Sequence, residues 1–118
     1  MKFSPPGSPS NVRVRPATTA DIPAIRDIIA PLVEKRILLG KELVMLYEAV
    51  QEFLVAERSG QVIGCGALHV FWEDLGEVRT LAVAKEVTGQ GVGHALLDAL
   101  EQRAKGLGLS KLFCLTFE

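Results

Sequence analysis

The sequence is poor in several things, and each shortage excludes something. It has no apolar run near the roughly 20 residues a membrane helix needs, so a membrane partner is not expected. The formal net charge is −1, which gives no electrostatic case for binding nucleic acid or an anionic surface. The N-terminal "MKFSPPGSPSN" lacks the apolar centre of a signal peptide. Its Pro, Ser and Gly read instead as a disordered leader over residues 1–11. Only two cysteines occur, Cys65 and Cys114, each alone in an apolar run. They read as buried thiols rather than as a disulfide or a metal pair, and no metal site is expected. There is one tyrosine, Tyr47, and one tryptophan, and no internal repeat is visible. What remains is a 118-residue chain, 48% apolar and 23% charged. That is enough for one packed domain, over 12–118, and the expected compartment is the cytoplasm.

Periodicity sets the order of elements. "VRVRP" (Val12 to Pro16) alternates and is β-branched, so it reads as a strand. In "TTADIPAIRDIIA", Thr18 and Asp21 have capping-box spacing, and Ile22, Ile25, Ile28 and Ile29 recur at helical spacing. Pro31 is expected to kink or end that helix. A second helix is expected over Glu42 to Gln51, with Leu43, Leu46, Tyr47 and Val50 on one packed stripe. "FLVAER" and "QVIGCGALHVFW" read as a hairpin joined at Ser59 and Gly60, and "GEVRTLAVA" as the next strand. A helix follows from about Gly91 to Lys105, and "KLFCLTFE" is the last strand. The order is β-α-α-β-β-β-α-β, an α/β (α+β) chain with a mixed central sheet. Three antiparallel strands lead into a βαβ crossover with parallel outer strands. The chain stops on an uncapped strand edge, which reads as the end of a fragment and leaves a homodimer open.

"VTGQGVGHALL" (Val87 to Leu97) places three glycines before a helix. No Lys follows them, which rules out a Walker loop, and neither glycine frame fits the dinucleotide fingerprint. Free amides at a helix N-terminus attract an anion, and glycines let the backbone approach it. A glycine turn that merely needs positive φ explains the same letters equally well.

The run "EVRTLAVAKEVTGQGVGHALLDALEQRAKGLGLSKLFCL" resembles the central motif of the GNAT (Gcn5-related) N-acetyltransferase superfamily. That family's [QR]-x-x-G-x-[GA] loop corresponds to Thr88, Gly89, Gln90, Gly91, Val92 and Gly93, after Leu81, Ala82 and Val83. Thr88 departs from the pattern, where Arg or Gln is usual. The resemblance implies the acyl-CoA N-acyltransferase fold, with its last helix and strands missing here. It also implies acetyl-CoA as cosubstrate. The pyrophosphate would lie on the amides of Gly91 to His94, and the pantetheine arm along Leu81, Ala82 and Val83. By position, Glu77 matches the catalytic glutamate of several such enzymes and would deprotonate an amine. Glu73 and Asp74 are weaker candidates in a loop. A backbone N–H near Leu81 to Val83 would meet the oxyanion. His94 reads as a phosphate neighbour, and His69 as structural or lining. The family's usual acid, a tyrosine, would lie beyond this chain.

A narrower resemblance is carried by "IRDIIAPLVEKRILLGKELVMLYEAVQEFLVAERSGQVIGCGAL" and "GLSKLFCLT". These look like the acetyltransferase domain of N-acetylglutamate synthases, without the amino-acid kinase domain many of them carry. The resemblance implies acetyl transfer to the α-amine of L-glutamate, the first step of arginine biosynthesis. Glutamine, another amino acid or a small amine remains the alternative acceptor, and an acyl-CoA-binding module without chemistry remains another. Carboxylates need cationic partners. Lys41, which matches by position a basic residue of that family, is the first choice, then Arg26 and Arg79, with the backbone at Cys65 to Ala67 helping to hold the substrate.

Overall fold

A computed structural model describes residues 11–34 and 43–114. Strand β1 (Val12–Pro16) leads through a 3-10 turn (Thr19–Asp21) into helix α1 (Ile22–Glu34). Helix α2 (Leu43–Glu48) and a 3-10 turn (Val50–Glu52) precede β2 (Phe53–Arg58). Then come β3 (Gln61–Trp72), β4 (Leu75–Val83), a 3-10 turn (Lys85–Val87), α3 (Val92–Gly106) and β5 (Lys111–Cys114).

The five strands form one sheet in chain order. The pairs β1–β2, β2–β3 and β3–β4 are antiparallel. β4–β5 is parallel, because α3 carries the chain back across the sheet. The β2–β3 hairpin turns at Ser59 (φ 53) and Gly60 (φ 79). Two left-handed central residues match the right-handed twist of the strands they join.

Alternation divides the sheet into two faces. Ile22, Ile25 and Ile29 of α1 and Leu46 of α2 pack on Phe53, Val55, Cys65, Ala67 and Ala82. On the other face, Val92, Leu96, Leu100 and Ala104 of α3 pack on Leu54, Ala56, Ile63, Leu68 and Val78. Gly64 makes the second packing possible, since a Cβ there would sit 2.9 Å from Leu96 Cδ1.

The cap read from Thr18 and Asp21 forms, with the Thr18 N–H donating to Asp21 Oδ2 at 2.7 Å. Asp21 also receives Nη1 and Nη2 of Arg15, at 2.9 and 3.0 Å. Arg15 donates through Nε to Glu57 on β2.

Four expectations are corrected, the one for Pro31 only in its second alternative, an end to the helix. Pro31 does not end α1, which runs on to Glu34. Ile22, Ile25 and Ile29 bury fully against the sheet, and their packing outweighs one missing helical hydrogen bond. The helix expected over Glu42–Gln51 closes at Glu48, and Val50–Glu52 tighten into a 3-10 turn. In the expected stripe Leu46 is buried, but Leu43 and Tyr47 are 36% and 40% exposed, so Tyr47 is not a core residue. Cys65 is buried as expected, whereas Cys114 on the short outer strand is exposed. The leader 1–10, Lys41 and the "ILL" at 37–39 lie outside the described residues.

Candidate functional site

The register of β3 against β4 shifts between Cys65 and Ala67. Cys65 faces Ala82 and Ala67 faces Arg79, so Gly66 opposes both Thr80 and Leu81. This is a β-bulge, and Thr80 takes φ 55 in it. Left-handed backbone is unfavourable for a β-branched residue and is commonly retained where a site needs it. The extra residue inverts the strand's alternation. Val78 packs toward α3 before the bulge, and Leu81 and Val83 do so after it. Glu77 and Arg79 therefore point to the α1 side, and Thr80–Leu81 leave the regular ladder.

Past β4 the chain tightens through Val87 N–H to Ala84 O (3.1 Å) and Gln90 N–H to Val87 O (3.3 Å). Gly89 (φ 84) and Gly91 (φ 83) then take left-handed backbone, and Gly91 caps α3 with no side-chain cap. A side chain would be strained at Gly91, and the first amides of α3 lack helical partners. Gly89, Gln90, Gly91 and His94 are exposed, so these donors and the helix dipole meet open space. A groove of about 750 Å³ approaches the loop. Its walls are Ala24, Asp27, Ile28 and Pro31 of α1 and Leu81, Ala82, Val83 and Thr88 of the β4 end. Four of the expected coenzyme residues thus line one groove, and Gly91, Val92, Gly93 and His94 form the helix end beside it.

Upstream, Glu77 Oε1 accepts Arg79 Nε at 2.8 Å, and the Glu77 side chain is only 12% exposed. The expected base and one expected substrate cation are thus partners of each other. Arg26 on α1 is half exposed, with its neighbour Asp27 at 3.6 Å. Cys65 Sγ contacts Thr80 O at 3.8 Å, and burial pushes the thiol up to about 12. Its side chain is sealed under α1, which leaves the expected substrate contact at Cys65 to Ala67 to the backbone. Lys41, the first choice for a carboxylate, lies outside the described residues. Among the described residues no group of three or more His, Cys, Asp or Glu could hold a metal ion.

Three features escaped sequence reading. Thr80 looks like an ordinary strand residue. Arg58 Nη2 donates to Gln90 Oε1 at 3.1 Å, tying β2 to the glycine loop. His69 Nδ1 lies 2.9 Å from Glu52 Oε2. Each depends on residues distant in sequence, and no local pattern announces them.

The profile of the Acetyltransferase (GNAT) family matches residues 25–118. The chain belongs to the GNAT acetyltransferase family. This GNAT chain is 56% identical over 108 residues to the amino-acid acetyltransferase of Mycobacterium tuberculosis. That alignment covers 89% of the chain and 62% of the relative. A Mycobacterium tuberculosis protein crystallised with CoA and NLQ superposes with a TM-score of 0.85 at 56% identity, over 90% of this chain and 65% of that one. N-acetylglutamate synthase from Neisseria gonorrhoeae, complexed with coenzyme A and N-acetyl-glutamate, superposes with a TM-score of 0.86 at 39% identity. There 89% of this chain is covered and 25% of the synthase chain. The GNAT chain therefore spans less than two thirds of the length of each.

Proposed function

We propose that this GNAT chain transfers acetyl from acetyl-CoA to the α-amine of L-glutamate, the first step of arginine biosynthesis. One observation carries the reading: an uncapped α3 N-terminus at the mouth of a groove along β4, with the carboxylate of Glu77 upstream on the same strand. The coenzyme pyrophosphate rests on the amides of Gly91 to His94, and the pantetheine follows Leu81 to Val83. Its thioester then lies near the bulge, where a backbone N–H released from the ladder meets the developing oxyanion. Glu77 takes a proton from the substrate ammonium, the freed nitrogen pair attacks the carbonyl carbon, and the carbon–sulfur bond breaks. Arg79 holds Glu77 in place, and Lys41 pairs with a substrate carboxylate. The names and ligands of the relatives support an amino-acid acceptor and coenzyme A.

An acceptor panel of amino acids, read by free-thiol release, tests this on the chain as it stands and on one extended past Glu118. Glutamate should give the highest kcat/KM. Glu77→Gln should lower kcat by about 10²- to 10⁴-fold, the usual range for a positioned base. Full turnover in that variant would overturn the role given to Glu77. Acetyl-CoA binding without turnover for any amine would instead mark a coenzyme-binding module.

A further inference from the structure

A carboxylate–imidazole pair stands beside Glu77. Cys65 and Ala67 of β3 lie in the α1-side core, and His69 is the next residue of that alternation. It lies where the core gives out, with its side chain 34% exposed. Its Nδ1 is 2.9 Å from Glu52 Oε2, carried in by the 3-10 turn before β2. An ionised carboxylate only accepts hydrogen bonds, so the Nδ1–H points to Glu52 and Nε2 is the ring nitrogen left to exchange a proton.

The Cα partner of His69 across the ladder is Glu77. Side chains directly opposed on antiparallel strands have Cβ atoms about 4.5–5.5 Å apart, within reach directly or through one water. Arg79 occupies only Oε1 of Glu77, and Oε2 takes no protein hydrogen bond among the described residues. The charged groups that β4 and the 3-10 turn bring to this face are Glu52, Glu77 and Arg79.

We infer that His69, oriented by Glu52, is a positioning and proton-relay residue acting through Glu77. The inference rests on the acetyl-transfer reading above. Transfer from a thioester to an ammonium releases one net proton, since two leave nitrogen and the thiolate takes one. Glu77 takes the first and must lose it before the next turnover. His69 Nε2 accepts that proton as the Glu77 O–H bond breaks. The imidazolium so formed is balanced by Glu52, and the half-exposed ring passes the proton to water. Carboxylate, imidazole and reacting group then follow the orienter–base–nucleophile logic of other proton-transfer sites, with Glu77 in the outer place.

The test uses the full chain and its His69→Ala, His69→Gln and Glu52→Gln variants. Steady-state kinetics, acetyl-CoA thermal stabilisation and added imidazole are the readouts. Both His69 variants should lose at least about tenfold in kcat, with KM for acetyl-CoA unchanged. Imidazole in the buffer should restore part of the His69→Ala loss, which a structural role would not allow. Glu52→Gln, which keeps an acceptor for Nδ1, should lose less. Turnover within twofold of the parent chain in both His69 variants would overturn the relay. So would a loss that imidazole leaves unchanged. Absence of turnover in the parent chain would sink the acetyl-transfer reading itself, and the relay with it.

Discussion

Arg15 gathers two acidic residues from distant parts of the chain, Asp21 beside α1 and Glu57 on β2. Hydrogen bonds from the Arg15 guanidinium, more than those from Thr18, hold the Asp21 carboxyl at about 2 against an ordinary 3.8. A depressed carboxyl stabilises the folded state fully above its unfolded value. That contribution fades as the pH falls from about 4 toward 2. At pH 7 it is on the order of 2 kcal/mol. Asp21→Asn should therefore cost about that much in chemical denaturation at pH 7, and the gap should close between pH 4 and pH 2. A gap that stays constant over that range would show that the ion pair contributes nothing. At this scale the sequence revealed residue types better than partners. Thr18 and Asp21 are three apart, so their cap was legible. Arg79 was read as a substrate cation, and in the fold its Nε holds Glu77. Strand residues two apart point the same way, but the intervening alternation alone does not say which face is which.

At the scale of elements, strands were the most legible. The bounds of β1, β2 and β3 follow from alternation, β-branching and the Ser59–Gly60 turn. Alternation fails at Thr80, because a bulge is a property of two strands in register and not of one. Helix α1 passing through Pro31 has the same origin, since the face that holds it is buried by the sheet. The glycine loop was legible as an anion cradle or a turn, and the structure shows the turn, placed at an uncapped helix start. Gly91 takes a positive φ at a helix start that no side chain caps. Gly91→Val should cost about 1–2 kcal/mol of stability from the left-handed backbone. It should also raise KM for acetyl-CoA about tenfold or more, by turning the α3 amides away. Normal coenzyme affinity in a folded Gly91→Val chain would remove the loop from the site.

For the whole molecule, the two faces of one sheet carry different parts of the proposed site. The α3 face supplies the larger cluster, and α3 starts where the coenzyme is proposed to sit. The α1 face is packed under Ile22, Ile25 and Ile29, and holds Glu77, Arg79, His69 and Glu52 where that packing ends. A ligand lying in the groove touches α1, β4 and the loop together, so it bridges the two layers. Acetyl-CoA at about 100 times its Kd should then stabilise the fold by about 2.7 kcal/mol. In a chain of this size that raises Tm by about 10 °C. No shift at such a concentration would rule out the groove as a coenzyme site.

The sequence by itself determined the order of strands and helices, the hairpin turn, the α1 cap and the glycine loop before α3. These rest on spacings of two to four residues, which a chain sets locally. Only the tertiary structure decided which face Glu77 takes, that Cys65 is sealed while Cys114 is not, and that Glu52 and His69 meet. Those outcomes depend on strand register, on one bulge, and on which helix covers which side of the sheet. Each joins residues far apart in the chain, where no local spacing carries the information.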